Sequence, residues 1–423
     1  MRPVGRRLRA AAFFQQLGPG LVTGAADDDP SGIATYSQAG AQFGFLTLWA
    51  VVFTYPLMVG IQLVSARIGR VTGHGLASNI GRHFSRPILY GIVALLVFAN
   101  TINIAADIAA MGEALNLVVG GPPHAHAVFI GVSCLLLQVF LSYQRYVRYL
   151  KWLTLALLSY VVLVLTIQIP WREVAEHAVR PHFALTGAYL TVIVAVFGTT
   201  ISPYLFFWQA SQEVEELNAD PAAGALAHAP EGAAEHLQRI KIDTYLGMAF
   251  SNIVAFCIIL GTAATLNAAG VTDIQTSAQA ASALRPLAGD LSFMLFALGI
   301  IGTGMIAVPV LAGSAAYAVA ETFEWKRGLD LKLLEAREFY AIIALATLGG
   351  VALDFSPIDP IRALFWAAVI NGVIAVPIMV VMMLLADDPK VMGAFTVTRA
   401  LKALGWLATG TMAAAVVAMI ATW

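Results

Sequence analysis

The chain alternates between long apolar stretches and short polar connectors from one end to the other. A transmembrane helix needs about 20 mostly apolar residues to cross about 30 Å of hydrocarbon. Eleven stretches are candidates: residues 16–42, 45–66, 88–117, 124–142, 152–170, 185–210, 244–267, 291–320, 339–354, 362–386 and 403–422. The pattern predicts an all-α integral membrane protein with about 11 transmembrane helices.

The first apolar stretch is interrupted by three carboxylates and a helix breaker. Residues 27–32 read Asp-Asp-Asp-Pro-Ser-Gly. A charge at the centre of a bilayer costs roughly 2.5–3.5 kcal/mol on insertion scales, so carboxylates within a membrane indicate a functional site by default. The simplest role for such a site is to bind a cation.

A second interruption lies in the sixth apolar stretch, where residues 198–204 read Gly-Thr-Thr-Ile-Ser-Pro-Tyr. Pro203 lacks a backbone donor and clashes with the preceding turn of a helix. Five spans precede the sixth, so the first helix of each half is broken near its middle. Paired interruptions at matching positions indicate the substrate site of an inverted-repeat transporter. We therefore expect the two breaks to meet.

Two simpler explanations stay open from the residues alone. Pro30 and Pro203 are compatible with ordinary kinks, which neighbouring helices accommodate in membranes. The acidic triplet is compatible with a position at the aqueous interface, where it would merely be solvated. The first explanation leaves the triplet unexplained, because three adjacent carboxylates cannot all face protein unless the backbone is unwound or open to water.

The connectors are too short for a domain outside the membrane. We expect a single membrane domain over residues 1–423, with a first repeat at about 16–170, a second at about 185–386 and an extra helix at about 403–422. With the N-terminus inside, 20 of the 24 Lys and Arg residues fall on inner segments, where basic residues accumulate in membrane proteins. The prediction is a multi-pass inner-membrane protein with a cytoplasmic N-terminus and an outer C-terminus.

Composition agrees with this class and excludes others. Of the 423 residues, 59% are hydrophobic and 12% are charged, against about 25% charged in soluble domains; the mean hydropathy is +0.79. A net charge of −1 provides no basic field for nucleic acid. We find no nucleophile paired with a base, so we expect neither an enzyme nor a cofactor. The expected partners are a metal-ion substrate and membrane lipid, with the chain as a monomer.

Several stretches resemble the natural resistance-associated macrophage protein (Nramp) family of divalent metal transporters. They are Gly18–Gly20, Asp29–Ala34, Gln38–Gly44 and Ala66–Gly73, with later echoes at Asp107, Gly198–Pro203 and Leu385–Gly393. The resemblance spans nearly the whole chain and is strongest at its start. It implies the five-plus-five inverted repeat shared with leucine-transporter-like proteins, with broken first and sixth helices and an extra eleventh helix.

The resemblance also implies a metal site between the two breaks. The family motif Asp-Pro-Gly-Asn places its aspartate on Asp29 and its asparagine on Gly32, so one oxygen ligand is missing here. The family's methionine and histidine in the sixth helix fall on Ser202 and Tyr204, and its backbone carbonyl ligand falls on Thr199. The remaining candidate metal-site residues are Ala26, Ser31, Thr200 and Asn371.

These departures change the expected ion and the expected coupling. Methionine sulfur suits transition metals, whereas Mg²⁺ prefers oxygen and keeps several waters. The pattern resembles the Nramp-related magnesium transporters, so we rank Mg²⁺ first and Mn²⁺ second. The alternatives are a proton-coupled Mn²⁺/Fe²⁺ transporter of the usual Nramp type and, as a more distant possibility, a symporter of amino acids or small organic solutes. A channel or sensor is a further alternative.

The proton route that the resemblance implies is depleted in this chain. Asp107 matches the family's third-helix aspartate, but Ala110 stands where the family has a glutamate. Glu113 lies about 240° around the helix from Asp107 and cannot simply replace it. We therefore predict weak or absent proton coupling. The candidate proton or vestibule residues are Asp27, Asp28, Asp107, Tyr204 and Arg337, the last of which is equally compatible with a snorkelling anchor.

Overall fold

Helices make up all the regular secondary structure of the described residues. The computed structural model describes residues 23, 24, 26–141, 153–219, 224–355 and 359–422. In chain order the α-helices are α1 (Pro30–Phe43), α2 (Leu48–Thr72), α3 (Leu76–His83), α4 (Arg86–Val119), α5 (Pro123–Phe140), α6 (Leu158–Thr166), α7 (Trp171–Val179), α8 (Gly187–Thr200), α9 (Pro203–Ala219), α10 (Ala233–Thr262), α11 (Ser277–Ser282), α12 (Arg285–Ala288), α13 (Ser292–Thr322), α14 (Arg337–Leu353), α15 (Pro360–Asp387), α16 (Pro389–Met392) and α17 (Arg399–Ala421). The all-α prediction is confirmed.

Every predicted span overlaps one of these helices, but the predicted number of spans is not confirmed. In the described part of the chain, 8 helical runs are long and apolar enough to cross a membrane. The first two predicted spans form one continuous run, Pro30–Thr72, because a 3₁₀ turn at Gly44–Thr47 links α1 to α2. Two other predicted spans correspond to the short helix α6 and to the 17-residue helix α14.

The first helix is broken at the acidic triplet. Residues 26 and 27 are helical, the chain bends at Asp28, and α1 begins at Pro30. Asp29 is the N-cap of α1, with an extended backbone, and its carboxylate accepts a hydrogen bond from the Gly32 N–H at 2.7 Å. A proline suits the first helical position because its missing N–H would have no acceptor there. The predicted break is confirmed.

The sixth predicted helix is also broken, and it lies at the centre of the molecule. α8 ends at Thr200, Ile201 leaves the helical conformation with φ −117° and ψ 66°, and α9 begins at Pro203. Every residue of the most apolar 18-residue stretch in the run Gly187–Ala219 is buried. In α17, only 33% of the most apolar 18-residue stretch is buried. The last helix is therefore peripheral, whereas α8 and α9 are enclosed by protein.

Close helix packing fixes the position of the second break. A Cβ atom on Gly198 would lie 2.1 Å from the carbonyl oxygen of Ala368 and 2.5 Å from the backbone nitrogen of Gly372. Only a residue without a side chain allows α8 and α15 to approach so closely. This contact brings Asn371, the neighbour of Gly372, to the level of the break.

Candidate metal centre

Asp29 lies at the break in the first helix, and both of its carboxylate oxygens are engaged. Oδ1 accepts hydrogen bonds from the Ser31 hydroxyl at 2.6 Å and from the Gly32 N–H at 2.7 Å. Oδ2 accepts one from the side-chain amide of Asn103 at 3.0 Å and lies 3.5 Å from the Tyr204 hydroxyl. Asp29 is 1% exposed. Its donors hold the carboxylate in one orientation, and none of them carries a positive charge.

Asn103 of α4 joins residues from three helices into one network. Its Nδ2 donates to Asp29 Oδ2 and, at 3.1 Å, to Asp107 Oδ2. Its Oδ1 accepts a hydrogen bond from Nδ2 of Asn371 in α15 at 3.0 Å. Two predicted candidates, Asp107 and Asn371, are therefore linked to Asp29 through a residue that was not itself predicted.

The hydroxyl of Ser202 turns back onto the end of α8. It donates to the carbonyl oxygen of Gly198 at 3.0 Å and to that of Thr199 at 2.7 Å. The last turn of a helix has carbonyls without intrahelical partners, and two of them share the single O–H of Ser202. Ser202 therefore holds the carbonyl of Thr199 at the break, where that carbonyl was predicted to serve as a ligand.

The two breaks meet, as the sequence predicted. The Tyr204 hydroxyl donates to the carbonyl oxygen of Ala26 at 2.9 Å. The Thr200 hydroxyl lies 3.3 Å from the hydroxyl of Tyr36 in α1. The first contact joins α9 to the chain before α1, and the second joins α8 to α1 itself. Tyr204, Ala26 and Thr200 are among the residues predicted for the site.

Gly32 leaves little empty space beside Asp29. A Cβ atom at this position would lie 3.1 Å from Oγ1 of Thr199 and 3.4 Å from the carbonyl oxygen of Asp27. The hydroxyl of Thr199 thus stands beside the position where the family motif has an asparagine. Thr199 therefore occupies the space beside Gly32.

Three buried side-chain oxygens around this network have no hydrogen-bond partner among the described residues. They are Oδ1 of Asp107, Oδ1 of Asn371 and Oγ1 of Thr199. A buried acceptor without a partner costs about 1–3 kcal/mol, and a cation would satisfy it. In the part of the chain that the structure describes, no group of three or more His, Cys, Asp or Glu residues could hold a metal ion. Any ligand set here must therefore include hydroxyl, amide or carbonyl oxygens.

The centre contains four buried carboxyl groups. Asp27, Asp28, Asp29 and Asp107 are each at most 2% exposed, and none forms an ion pair with a described basic residue. The penalty for burying a charge without a counter-ion is several kcal/mol per ion. The four carboxylates are therefore suited to a site that receives positive charge.

Asp27 and Asp28 lie behind the break rather than at a solvated surface. The Ser251 hydroxyl of α10 contacts Oδ2 of Asp27 at 2.6 Å and Oδ1 of Asp28 at 3.0 Å. Asp27 is 0% exposed and Asp28 is 2% exposed. The alternative in which the triplet is merely solvated at the aqueous interface is wrong, because α10 covers both residues.

Two other residues considered for a proton route lie apart from this network. Arg337 is the exposed first residue of α14, and no described contact joins it to the centre. Glu113 accepts a hydrogen bond from the Ser277 hydroxyl at 2.8 Å. Glu113 thus points to α11 and not to Asp107, as its angular position on the helix predicted.

The residues that sequence reasoning missed are Asn103, Tyr36 and Ser251. A signal for Asn103 was present, because Asn100, Asn103 and Asp107 form one stripe of α4. Asn100 in that stripe makes structural hydrogen bonds to the Leu311 carbonyl and the Ser314 hydroxyl. No sequence pattern indicated Tyr36 or Ser251, since their roles depend on how helices pack around the two breaks.

Three comparisons with known proteins bear on this geometry. The family model "Natural resistance-associated macrophage protein-like" (Nramp) matches residues 20–422. A relative named "Divalent metal cation transporter MntH", from Verminephrobacter eiseniae, is 26% identical over 379 residues, which are 86% of this chain and 83% of the relative.

Solved structures share the fold at low identity. A manganese transporter of Eremococcus coleocola, solved with an aromatic bis-isothiourea compound, superposes with a TM-score of 0.73 at 18% identity, covering 96% of this chain and 87% of that one. A nucleobase-cation-symport-1 family transporter, in a closed conformation, gives a TM-score of 0.53 at 14% identity and covers 96% and 92%. The predicted leucine-transporter-like fold is confirmed by these similarities.

Proposed function

Because this chain belongs to the Nramp-like family of metal-ion transporters, we propose that it carries a divalent metal cation, Mg²⁺ or Mn²⁺, across the inner membrane. Family membership confirms that the chain is not an enzyme. The proposed site lies between the two broken helices, with Asp29 as the charged ligand. The ion is the substrate, and the function requires no cofactor.

One observation carries the choice of ion. The candidate donors next to the breaks are a carboxylate, an amide, hydroxyls and backbone carbonyls, with no sulfur or imidazole among those that we assign. Mg²⁺ and Mn²⁺ accept such oxygen ligands, whereas thioether and imidazole favour softer transition metals. The proposed ligands are Asp29, the carbonyls of Thr199 and Ala26, and the oxygen of Asn371. Ser31 orients Asp29 and Ser202 holds the Thr199 carbonyl, while Thr200 joins α8 to Tyr36.

Alternating access would use the two breaks as hinges. Helix ends at a broken helix present unpaired backbone groups to an ion, and the surrounding bundle rocks around that point. The site is closed to solvent here, since Asp29, Thr199 and Ser202 are all buried. Release would require one side of this enclosure to open, and the hydrogen bond from Tyr204 to Ala26 is the contact that such opening breaks first.

Weak proton coupling is part of the proposal. Tyr204 stands at the family's histidine position, and its hydroxyl is engaged by the carbonyl of Ala26. Among the described residues, Asp107 has no carboxylate or histidine partner on its own face of α4. Glu113 lies on another face of this helix and contacts Ser277. In the part of the protein that the structure describes, these contacts leave no chain of titratable side chains leading away from Asp29.

The test is uptake of Mg²⁺, Mn²⁺ and Ca²⁺ into proteoliposomes by wild type and Asp29→Ala. We expect Asp29→Ala to lose uptake of Mg²⁺ and Mn²⁺, and we expect no stoichiometric acidification with wild type. Asp273→Ala, which removes an exposed carboxylate, is the matched control and should transport normally. Unchanged uptake by Asp29→Ala would contradict the proposed site.

One contact favours a second candidate, the proton-coupled Mn²⁺/Fe²⁺ transporter of the usual Nramp type. Asp107 is joined to Asp29 through the single residue Asn103, a short path for a proton. Acidification that accompanies metal uptake and is lost in Asp107→Asn would support this second function.

For either function, the proposed transporter is a monomer with a cytoplasmic N-terminus and an outer C-terminus.

A further inference from the structure

A groove of about 330 Å³ lies at one end of the molecule, where α10 and α17 flank α2. Its apolar wall includes Leu63, Leu237 and Leu404, and its two charged residues are Arg67 and Lys241. No carboxylate is among the described residues that line it. The distribution of basic residues assigns this end of the helices to the cytoplasmic side. The groove therefore has an apolar wall and two positively charged residues.

The arginine in the groove is fixed in place by backbone groups. Its Nε donates to the carbonyl oxygen of Phe395 at 2.9 Å, and its Nη2 donates to that of Thr396 at 3.2 Å. Carbonyl groups orient a guanidinium without neutralising it. Arg67 is only partly exposed, and no described carboxylate pairs with it. Its positive charge is consequently uncompensated in a region of low dielectric constant.

Two other basic residues near this end, Lys402 and Arg239, are neutralised within the protein. Lys402 lies 2.6 Å from Asp387, and Arg239 lies 2.7 Å from Glu213 and 2.8 Å from Glu216. Lys241, by contrast, is exposed, has no described acidic partner and lies 5.9 Å from the ring centre of Tyr245. Arg67 and Lys241 thus face the groove without a described acidic partner.

We propose that this groove binds one anionic phospholipid, whose phosphate lies between Arg67 and Lys241 and whose acyl chain runs along the leucine wall. Basic pockets between transmembrane helices on the cytoplasmic side bind acidic head groups. The N-terminus of α17 opens next to the groove at Thr398, and a helix N-terminus also favours a phosphate. A zwitterionic lipid such as phosphatidylcholine also has a phosphate, but its own cationic amine offsets that charge, so it compensates the two basic residues less well.

This lipid would tie the extra helix to the transport core. α17 packs on α2 and α15, while no close α10–α17 packing is found among the described residues. A lipid head group contacting Lys241 of α10 and the start of α17 spans that gap. The inference concerns lipid binding alone and does not depend on which ion is carried.

Native mass spectrometry and thermal unfolding of the delipidated full chain test the proposal, with phosphatidylglycerol and phosphatidylcholine added separately. We expect wild type to bind phosphatidylglycerol in preference to phosphatidylcholine. Each basic residue contributes about fivefold to binding of an acidic head group, so Arg67→Gln combined with Lys241→Gln should lose about 30-fold of that preference. The control pair Arg82→Gln and Lys332→Gln removes two exposed charges elsewhere and should retain it.

Two further variants keep the test decisive if loss of Arg67 prevents folding. Lys241→Gln alone should lose about fivefold, and Ala400→Trp should block the groove while both charges remain. Equal binding of the two lipids by wild type, or full preference in Lys241→Gln and Ala400→Trp, would overturn the proposal. Stabilisation by free glycerol phosphate equal to that by phosphatidylglycerol would overturn the lipid assignment.

Discussion

The two broken helices meet at one point but contribute different things to it. The break before α1 carries three carboxyl groups in sequence, and Asp29 is held by three neutral donors. The break between α8 and α9 carries no charge and is defined by close packing and by hydroxyls that cap the end of α8. The first break attracts the ion, and the second shapes the space around it. Changes at the two breaks should therefore have different consequences.

Stability separates the two breaks most strongly. A Cβ atom on Gly198 would lie 2.1 Å from a backbone oxygen of α15, whereas one on Gly32 would lie 3.1 Å from a hydroxyl that can rotate away. Overpacking against backbone costs about 1–3 kcal/mol or more. We expect Gly198→Ala to lower the unfolding temperature in detergent clearly, and Gly32→Ala to change it little.

Gly91→Ala provides the control for Gly198→Ala, because nothing lies within 4 Å of an added Cβ atom at Gly91. Alanine is the better helix former, by about 1 kcal/mol, so this variant should be as stable as wild type or slightly more so. A normal unfolding temperature for Gly198→Ala would show that α8 and α15 do not approach as closely as described.

The next largest effect should come from Asn103, which joins the first break to α4 and α15. Asn103→Leu removes the donor to Asp29 and to Asp107 and the acceptor for Asn371. Loss of a group that orients a metal ligand typically costs about 10–100-fold in metal affinity or activity. We expect uptake of Mn²⁺ in proteoliposomes to fall by about this factor.

Asn100 offers a matched comparison on the same helix face. Its hydrogen bonds reach Leu311 and Ser314 rather than the centre, so Asn100→Leu should affect the unfolding temperature more than metal affinity. If both asparagine variants lowered metal affinity equally, Asn103 would not orient the metal site more than Asn100 does.

Ion preference should respond to the contact between the two breaks. Gly32→Asn restores the family's amide, but the new side chain meets the Thr199 hydroxyl. We expect Gly32→Asn combined with Thr199→Ala to shift the uptake ratio toward Mn²⁺ by a few-fold, and Gly32→Asn alone to impair uptake of both ions. Competition of Mg²⁺ against Mn²⁺ in proteoliposomes measures this ratio. An identical ratio in wild type and the double variant would contradict the ligand assignment.

The smallest effect should be that of Ser251→Ala. Ser251 contacts Asp27 and Asp28 but not Asp29, so its loss leaves the proposed ligands in place. We expect uptake to change by about fivefold or less, which corresponds to a net hydrogen-bond contribution of about 0.5–1 kcal/mol. A complete loss of uptake would mean that Asp27 or Asp28 binds the ion directly.

The sequence predicted the elements with strong local causes. Pro30 and Pro203 each stand beside a cluster of polar residues, whereas Pro56, Pro309 and Pro377 lie inside continuous helices. The polar clusters predicted the two breaks, and the apolar stretches predicted the helical class. The number of spans was not predicted, because turns such as Gly44–Thr47 continue a helical run instead of ending it. The relation between Gly32 and Thr199 also escaped prediction, since it depends on the packing of two segments that are about 170 residues apart.

Within the candidate site, polar residues on the broken helices were predictable from their cost in a membrane. Asn103 was harder, because an asparagine on a transmembrane helix usually makes interhelical hydrogen bonds, and its neighbour Asn100 does so. Ser251 of α10 lies in a segment without any motif. Its contact with Asp27 and Asp28 arises only from the approach of α10 to the first break.

Equilibrium binding tests the central claim most directly. The measurement is calorimetric titration of Mg²⁺ and of Mn²⁺ into the purified protein, for wild type and for Asp29→Asn, a variant that keeps the size of the side chain and removes its charge. We predict saturable binding of both ions by wild type and an affinity at least about 100-fold lower in Asp29→Asn, beyond the range typical of an orienting residue. Binding of equal affinity by a folded Asp29→Asn protein would contradict the account.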